Sequence, residues 1–219
     1  MNFDLDSVDY ILVTTRSVRV RLDFSRPIEP EVVMTCLDIA IQAPTGGNAQ
    51  GWRWLIVTDQ EKKAKIGRYY RKSFDAYTRS GRLVGRKNQG AQQQKKVYDS
   101  ALYLADHLGE VPMLIFACIH GRAQKSASAA GLYGSIIPAA WSLMLALRAR
   151  GIGAAWTTLH LAYERECNEI LGIPESVTTT VMLPVVYFTG ETFKKARRVP
   201  ATELTYWESW GKQAGSSDS

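Results

Sequence analysis

The stretch YGSIIPAAWSLMLALRARG, residues 133–151, carries no charged side chain until Arg148, and its apolar residues fall on every side of a 3.6-residue spiral. A helix with no polar face has to be surrounded by protein, so this segment predicts a helix running through the core and closed by Gly151. The remaining chain must then supply layers on all sides of it. With 219 residues, 46% of them hydrophobic, the chain is long enough to build one such core, and a single domain over residues 1–211 with a disordered tail at 212–219 is expected.

The flanking segments alternate between helical and extended patterns. After Pro30, EVVMTCLDIAIQA sets Val33, Leu37, Ala40 and Ile41 on one stripe, and Pro44 stops the helix. WRWLIV, PMLIFACIH and VTTTVMLPVVYF read as buried strands, and IGAAWTTL as a short one. DQEKKAKIGRYYRKSFDAY is a basic helix capped by Asp59, while VYDSALYLADHL and YERECNEILGI are further helices. Residues 79–96 are polar, contain glycine and show no apolar face, which predicts a mobile surface excursion. Strands separated by helices of unequal length imply an α+β layered domain, with a mixed or antiparallel sheet flanked by helices.

Several chemistries are excluded. There is no P-loop, no G-x-S-x-G and no H-E-x-x-H, and His107, His120 and His160 have no metal-ligand spacing. Cys36, Cys118 and Cys167 form no CxxC, so a disulfide framework or zinc site is not expected. Three aspartates near the N-terminus and the lack of an apolar run approaching about 18 residues argue against export or membrane spanning, which makes the cytoplasm the expected compartment. GIGAAW has Gly151 and Gly153 closing a helix rather than opening one, so it is no dinucleotide fingerprint. Tyr69 and Tyr70 stand among Arg68, Arg71 and Lys72, but a helix cannot turn all five one way, which counts against a nucleic-acid module.

What remains are groups suited to an anionic ligand: TRSVRVR with Arg16, Ser17, Arg19 and Arg21, and KKARRVP with Lys194, Lys195, Arg197 and Arg198. Guanidinium forks match phosphate oxygens two bonds at a time, and the formal charge of +6 permits such a partner. Between them stands APTGGNAQGWRWLIV, where two glycines and two amides separate a helix from a strand.

Taken in order, TTRSVRVRLDFSRPIEPEVV, APTGGNAQGWRWLIV, LALRARGIGAAWTTL, EILGIPE, LPVVYF and KKARRVP resemble the flavin-dependent nitroreductase family across nearly the whole chain. The resemblance implies a homodimer with FMN at its interface. It assigns Arg16, Ser17, Arg19 and Arg198 to the phosphate end, Pro44, Thr45, Gly46 and Asn48 to a loop reaching the flavin of the partner subunit, and Thr157, Thr158 and Leu159 to the neighbourhood of the ring. A backbone N–H near Thr158 would then contact N5 or O4, and no catalytic side chain is required because the flavin carries the chemistry. This chain departs from the pattern at Thr15, at Gly51 and at Trp141-Ser142, which stand in place of a basic residue, a proline and a Gln-Asn pair; Trp141 is expected to pack in the core.

The implied activity is NAD(P)H-dependent reduction of nitroaromatics or quinones, with NADPH or NADH as reductant. A flavin-storing protein without activity and a related flavin enzyme such as a reductive dehalogenase are the alternatives.

Overall fold

The structure, a computed structural model, describes residues 3–81, 90–126 and 128–214. Its sheet has strand order β1 (Leu22–Asp23), β5 (Val177–Phe188), β3 (Met113–His120), β2 (Trp52–Val57), with β4 (Ile152–Ala154) also pairing with β5. All of these strand pairs are antiparallel, and one isolated parallel bridge joins Ser17 to Ala154.

β3 and β5 are apolar along nearly their whole length because both faces of the sheet are covered. Successive side chains of a strand point to opposite faces. Met113, Ile115, Ala117 and Ile119 therefore pack with α2 (Pro30–Ala40) and α5 (Ala129–Ala149), whereas Leu114, Phe116 and Cys118 pack with α3 (Gln60–Arg79) and α4 (Ala91–His107). The result is a three-layer α/sheet/α domain, the layered α+β arrangement expected from the sequence.

α5 runs through the first core on Ile136, Ala139, Ala140, Leu143 and Leu147, and Gly151, at φ +73°, ends it. It begins at Ala129, with the Ser128 hydroxyl accepting from the Gly131 N–H at 3.0 Å. By length and composition α5 could cross a membrane, contrary to the expected absence of such a run. The sheet, α2 and α1 (Leu5–Thr14) cover only part of its circumference, and Tyr133 and Trp141 stay exposed.

Three further differences follow from tertiary context. β2 pairs only with β3, so it is an edge strand with Arg53 exposed rather than a fully buried one. Ala91–Lys96, expected in the excursion, form the first turns of α4, and Arg79 is the last residue of α3; residues 82–89 of that stretch lie outside the described residues, as do 215–219 of the expected tail. α1, capped by Asp4, has no counterpart in the sequence reading. It was illegible because it presents no core-facing stripe: Leu5, Val8, Tyr10 and Leu12 are exposed, and only Thr14 is buried.

A cationic cavity between the two ends of the chain

Residues 16–18 lie alongside β4. The Val18 N–H donates to the Ala154 carbonyl at 3.0 Å, and the Ser17 hydroxyl accepts from the Trp156 N–H at 3.1 Å. Such closeness needs a glycine: a Cβ on Gly153 would stand 3.0 Å from the Val18 side chain. Gly153 thus serves this strand contact.

The C-terminal segment closes over the same place. Arg16 Nη1 donates to the Lys194 carbonyl at 2.9 Å, and Arg16, Ser17 and Arg198 together line a cavity of about 400 Å³. Thr15, Ile137, Met144, Trp141 and Trp156 complete it, with no carboxylate in the lining. Two guanidinium groups with no carboxylate beside them among the described residues, next to two indoles, have the chemistry to hold an anion attached to a flat apolar body.

Trp141 is not the core residue expected. It is 38% exposed although Ala140 and Leu143 beside it are fully buried, because a position 100° around α5 from its buried stripe faces the cavity. Trp156 was likewise missed; its only signal was the GIGAAW match to the family.

Arg19, expected beside Arg16 and Arg198, does not line this cavity. It lies within electrostatic reach of Tyr70, and burial lowers the pKa of its guanidinium below the ordinary arginine value, opposed by Tyr70 and reinforced by the Arg16 charge. Tyr70 is buried, its hydroxyl is 2.9 Å from Thr157 Oγ1, and burial raises its pKa. Both backbone polar groups of Thr157 pair with Met182, at 3.2 and 3.0 Å. Thr157 Oγ1 also accepts from the Leu159 N–H at 3.5 Å. The turn 157–159 is thereby fixed, and the exposed Thr158 has an N–H with no hydrogen-bond acceptor among the described residues.

The loop Pro44–Asn48 stands apart. None of its residues lines the cavity, and it folds as a 3-10 turn over Gly46–Asn48. Gly47 at φ +57° and Asn48 at φ +53° are left-handed, a conformation glycine and asparagine tolerate. Asn48 Oδ1 accepts from Gln50 Nε2 at 3.1 Å, and Thr45 Oγ1 from the Gln50 N–H at 3.3 Å. A Cβ on Gly46 would meet nothing within 4 Å, so within one subunit no crowding explains that glycine.

The structure thus gathers Arg16, Ser17 and Arg198 around one cavity, leaves Arg19 out of its lining but within electrostatic reach of Tyr70 and Arg16, and keeps the loop out of it. Comparison with known proteins places the whole chain in a family. Iodotyrosine deiodinase of Thermotoga neapolitana is 27% identical over 179 residues, covering 81% of this chain and 87% of that one. 5,6-Dimethylbenzimidazole synthase of Rhodospirillum rubrum is 27% identical over 217 residues, covering 93% and 90%. Among solved structures, an iodotyrosine deiodinase bound to FMN and 3-iodo-L-tyrosine superposes with a TM-score of 0.67 at 24% identity, covering 87% of this chain and 94% of that one. The profile of the nitroreductase family matches residues 12–187, and the chain belongs to that family.

Proposed function

We propose that this protein is an FMN-dependent oxidoreductase that takes electrons from NADPH or NADH and passes them to a small aromatic acceptor, a nitroaromatic or a quinone, as a cytoplasmic homodimer built from one domain over residues 1–211. The observation that carries the reading is the acid-free cavity shared by Arg16, Ser17 and Arg198 beside two indoles.

The residues fit the cofactor. Arg16 and Arg198 offer guanidinium donors to a phosphate. The Ser17 oxygen already accepts from Trp156, which leaves its proton free to donate to the same group. Arg19, held beside Tyr70 away from that cavity, serves the ring end instead. When bound, FMN supplies hydride acceptance and electron transfer. The chain's own contribution is orientation and electrostatics: the Thr158 N–H is a fixed donor for the polar edge of the ring, and the Tyr70–Thr157 hydroxyl pair keeps the turn that carries it from moving. The loop Pro44–Asn48 completes the flavin site of the partner subunit, which accounts for glycines that nothing crowds within one chain.

Relatives named as iodotyrosine deiodinases favour a second reading, reductive dehalogenation of a halogenated phenol on the same cofactor. One experiment separates the readings. The purified protein is expected to be yellow with FMN and to bleach on anaerobic addition of NADPH or NADH. Reoxidation by a nitroaromatic or a quinone supports the first reading, and reoxidation by 3-iodotyrosine alone the second. A chromophore that no nicotinamide nucleotide bleaches would sink the first.

A further inference from the structure

The five aromatic and basic residues 68–72 do not act together; the helix sorts them. Tyr70 turns inward to Thr157, and Arg71 is taken by Asp75 and Asp106. Arg68, Tyr69 and Lys72, with Lys65 one turn earlier, line a separate cavity of about 430 Å³ closed by Ile170 of α6 (Glu164–Leu171). Positions 65, 68, 69 and 72 share one helix face, so the three cations converge. No acid lines this cavity. Glu61 pairs with Lys65, while Glu166 and Glu169 on α6 each lie 3.9 Å from Arg165. Arg68 and Lys72 have no ion pair among the described residues. Lys72 Nζ sits 5.4 Å from the centroid of the Tyr69 ring, which in turn packs 5.1 Å from that of Tyr163.

The place of this cavity matters as much as its charge. Tyr69 precedes Tyr70, the residue bonded to Thr157, and Tyr163 ends the turn that Leu159 begins. Through the Tyr69–Tyr163 ring contact the cavity lies beside the far end of that turn, and it shares no lining residue with the one lined by Arg16 and Arg198.

We infer that the groove between α3 and α6 is a phosphomonoester site that takes the 2′-phosphorylated adenosine end of NADPH. Arg68 and Lys72, which have no ion pair among the described residues, bind the phosphate dianion, Lys65 beside them remaining paired with Glu61, and the faces of Tyr69 and Ile170 take the base. The assignment to a reductant rests on the proposed function, whereas the phosphate chemistry does not. It makes NADPH the preferred donor, because NADH has nothing to place between Arg68 and Lys72.

Two measurements on FMN-loaded protein test it. In calorimetric titration, 2′,5′-ADP is expected to bind about tenfold or more tightly than 5′-AMP or inorganic phosphate, and Arg68→Ala/Lys72→Ala to abolish that difference. In steady-state kinetics the same variant is expected to raise KM for NADPH about tenfold while leaving kcat and the KM for NADH within about twofold. If 2′,5′-ADP binds no better than 5′-AMP or phosphate, or binds the double variant as well as the parent, the inference is overturned. If 2′,5′-ADP behaves as expected but no nicotinamide nucleotide reduces the flavin, the oxidoreductase reading falls while the phosphomonoester site stands, its ligand then being a free phosphorylated nucleotide.

Discussion

Arg16 Nη1 donates to the carbonyl of Lys194 at 2.9 Å, across 178 positions of sequence, and this bond fastens the C-terminal basic stretch beside the N-terminal one. Removing the guanidinium at 16 should therefore do two things at once. Arg16→Ala is expected to weaken FMN binding by roughly 10- to 100-fold, the equivalent of a charge-assisted hydrogen bond of about 1.5–3 kcal/mol. It should also quicken proteolysis near residues 190–200. Lys62→Ala, an equal change in charge on the exposed side of α3, should do neither; equal losses from both would point to nonspecific electrostatics.

Trp141, exposed into the cavity, should report on its contents. FMN titrated into apoprotein is expected to quench tryptophan emission, and Trp141→Phe to remove a resolved share of that quench with weaker binding. An unchanged titration curve would mean that another surface, such as the partner subunit, covers the indole.

The proposed two-chain site can be tested by complementation. Arg16→Ala/Arg19→Ala in one chain and Asn48→Trp in another should each give colourless homodimers. Their heterodimer has one site with both defects and one with neither, so flavin occupancy is expected to return to about half of wild type, as two-fold symmetry requires. A colourless heterodimer would place the loop and the arginines in the same subunit's site.

Gly153 lets residues 16–18 lie against β4. With Val18 only 3.0 Å from where a Cβ would be, Gly153→Ala should push the two apart, lowering stability by about 1–3 kcal/mol in urea denaturation and costing FMN affinity as Ser17 shifts from Trp156. Gly46→Ala, with open space around it, should leave the stability of the subunit unchanged; a comparable loss there would contradict the crowding argument.

His160 gives a pH signature. It is fully buried against Phe116, neither ring nitrogen has a hydrogen-bond partner among the described residues, and burial pushes its pKa down to about 3 from 6.5. The folded state keeps the ring neutral while the unfolded chain protonates it. Its contribution is thus complete above about pH 6.5 and is lost as pH falls toward 3, at up to about 1.4 kcal/mol per pH unit. Urea midpoints between pH 7 and pH 4 should fall less steeply in His160→Leu; parallel slopes would show that carboxylates alone govern the acid limb.

Local pattern determined most of the framework. The limits of β5 and β3, the stripe of α2, the Asp59 cap and the stop at Gly151 are dictated by nearest neighbours in sequence, through burial on both sheet faces, side-chain capping and left-handed backbone. The two arginine-rich stretches were legible as clusters of cations, and their order beside the glycine loop was legible as a family signature. What no window of sequence contains is which surface a side chain finally meets. Trp141 sits in as apolar a run as any in the chain, yet the sheet, α2 and α1 cover only part of the circumference of α5 and leave the indole facing a cavity. Arg16 and Arg19 are three residues apart, yet β4 and the C-terminal segment meet one while Tyr70 meets the other. Residues 68–72 read as one cluster, and only the docking of α3 between α4, α6 and the turn at 157–159 divided them into a core hydroxyl, an ion pair and an open cationic groove. Local sequence selects the elements because capping and periodicity act over a few residues; their partners depend on contacts between residues tens of positions to well over a hundred positions apart, which exist only once the layers have closed.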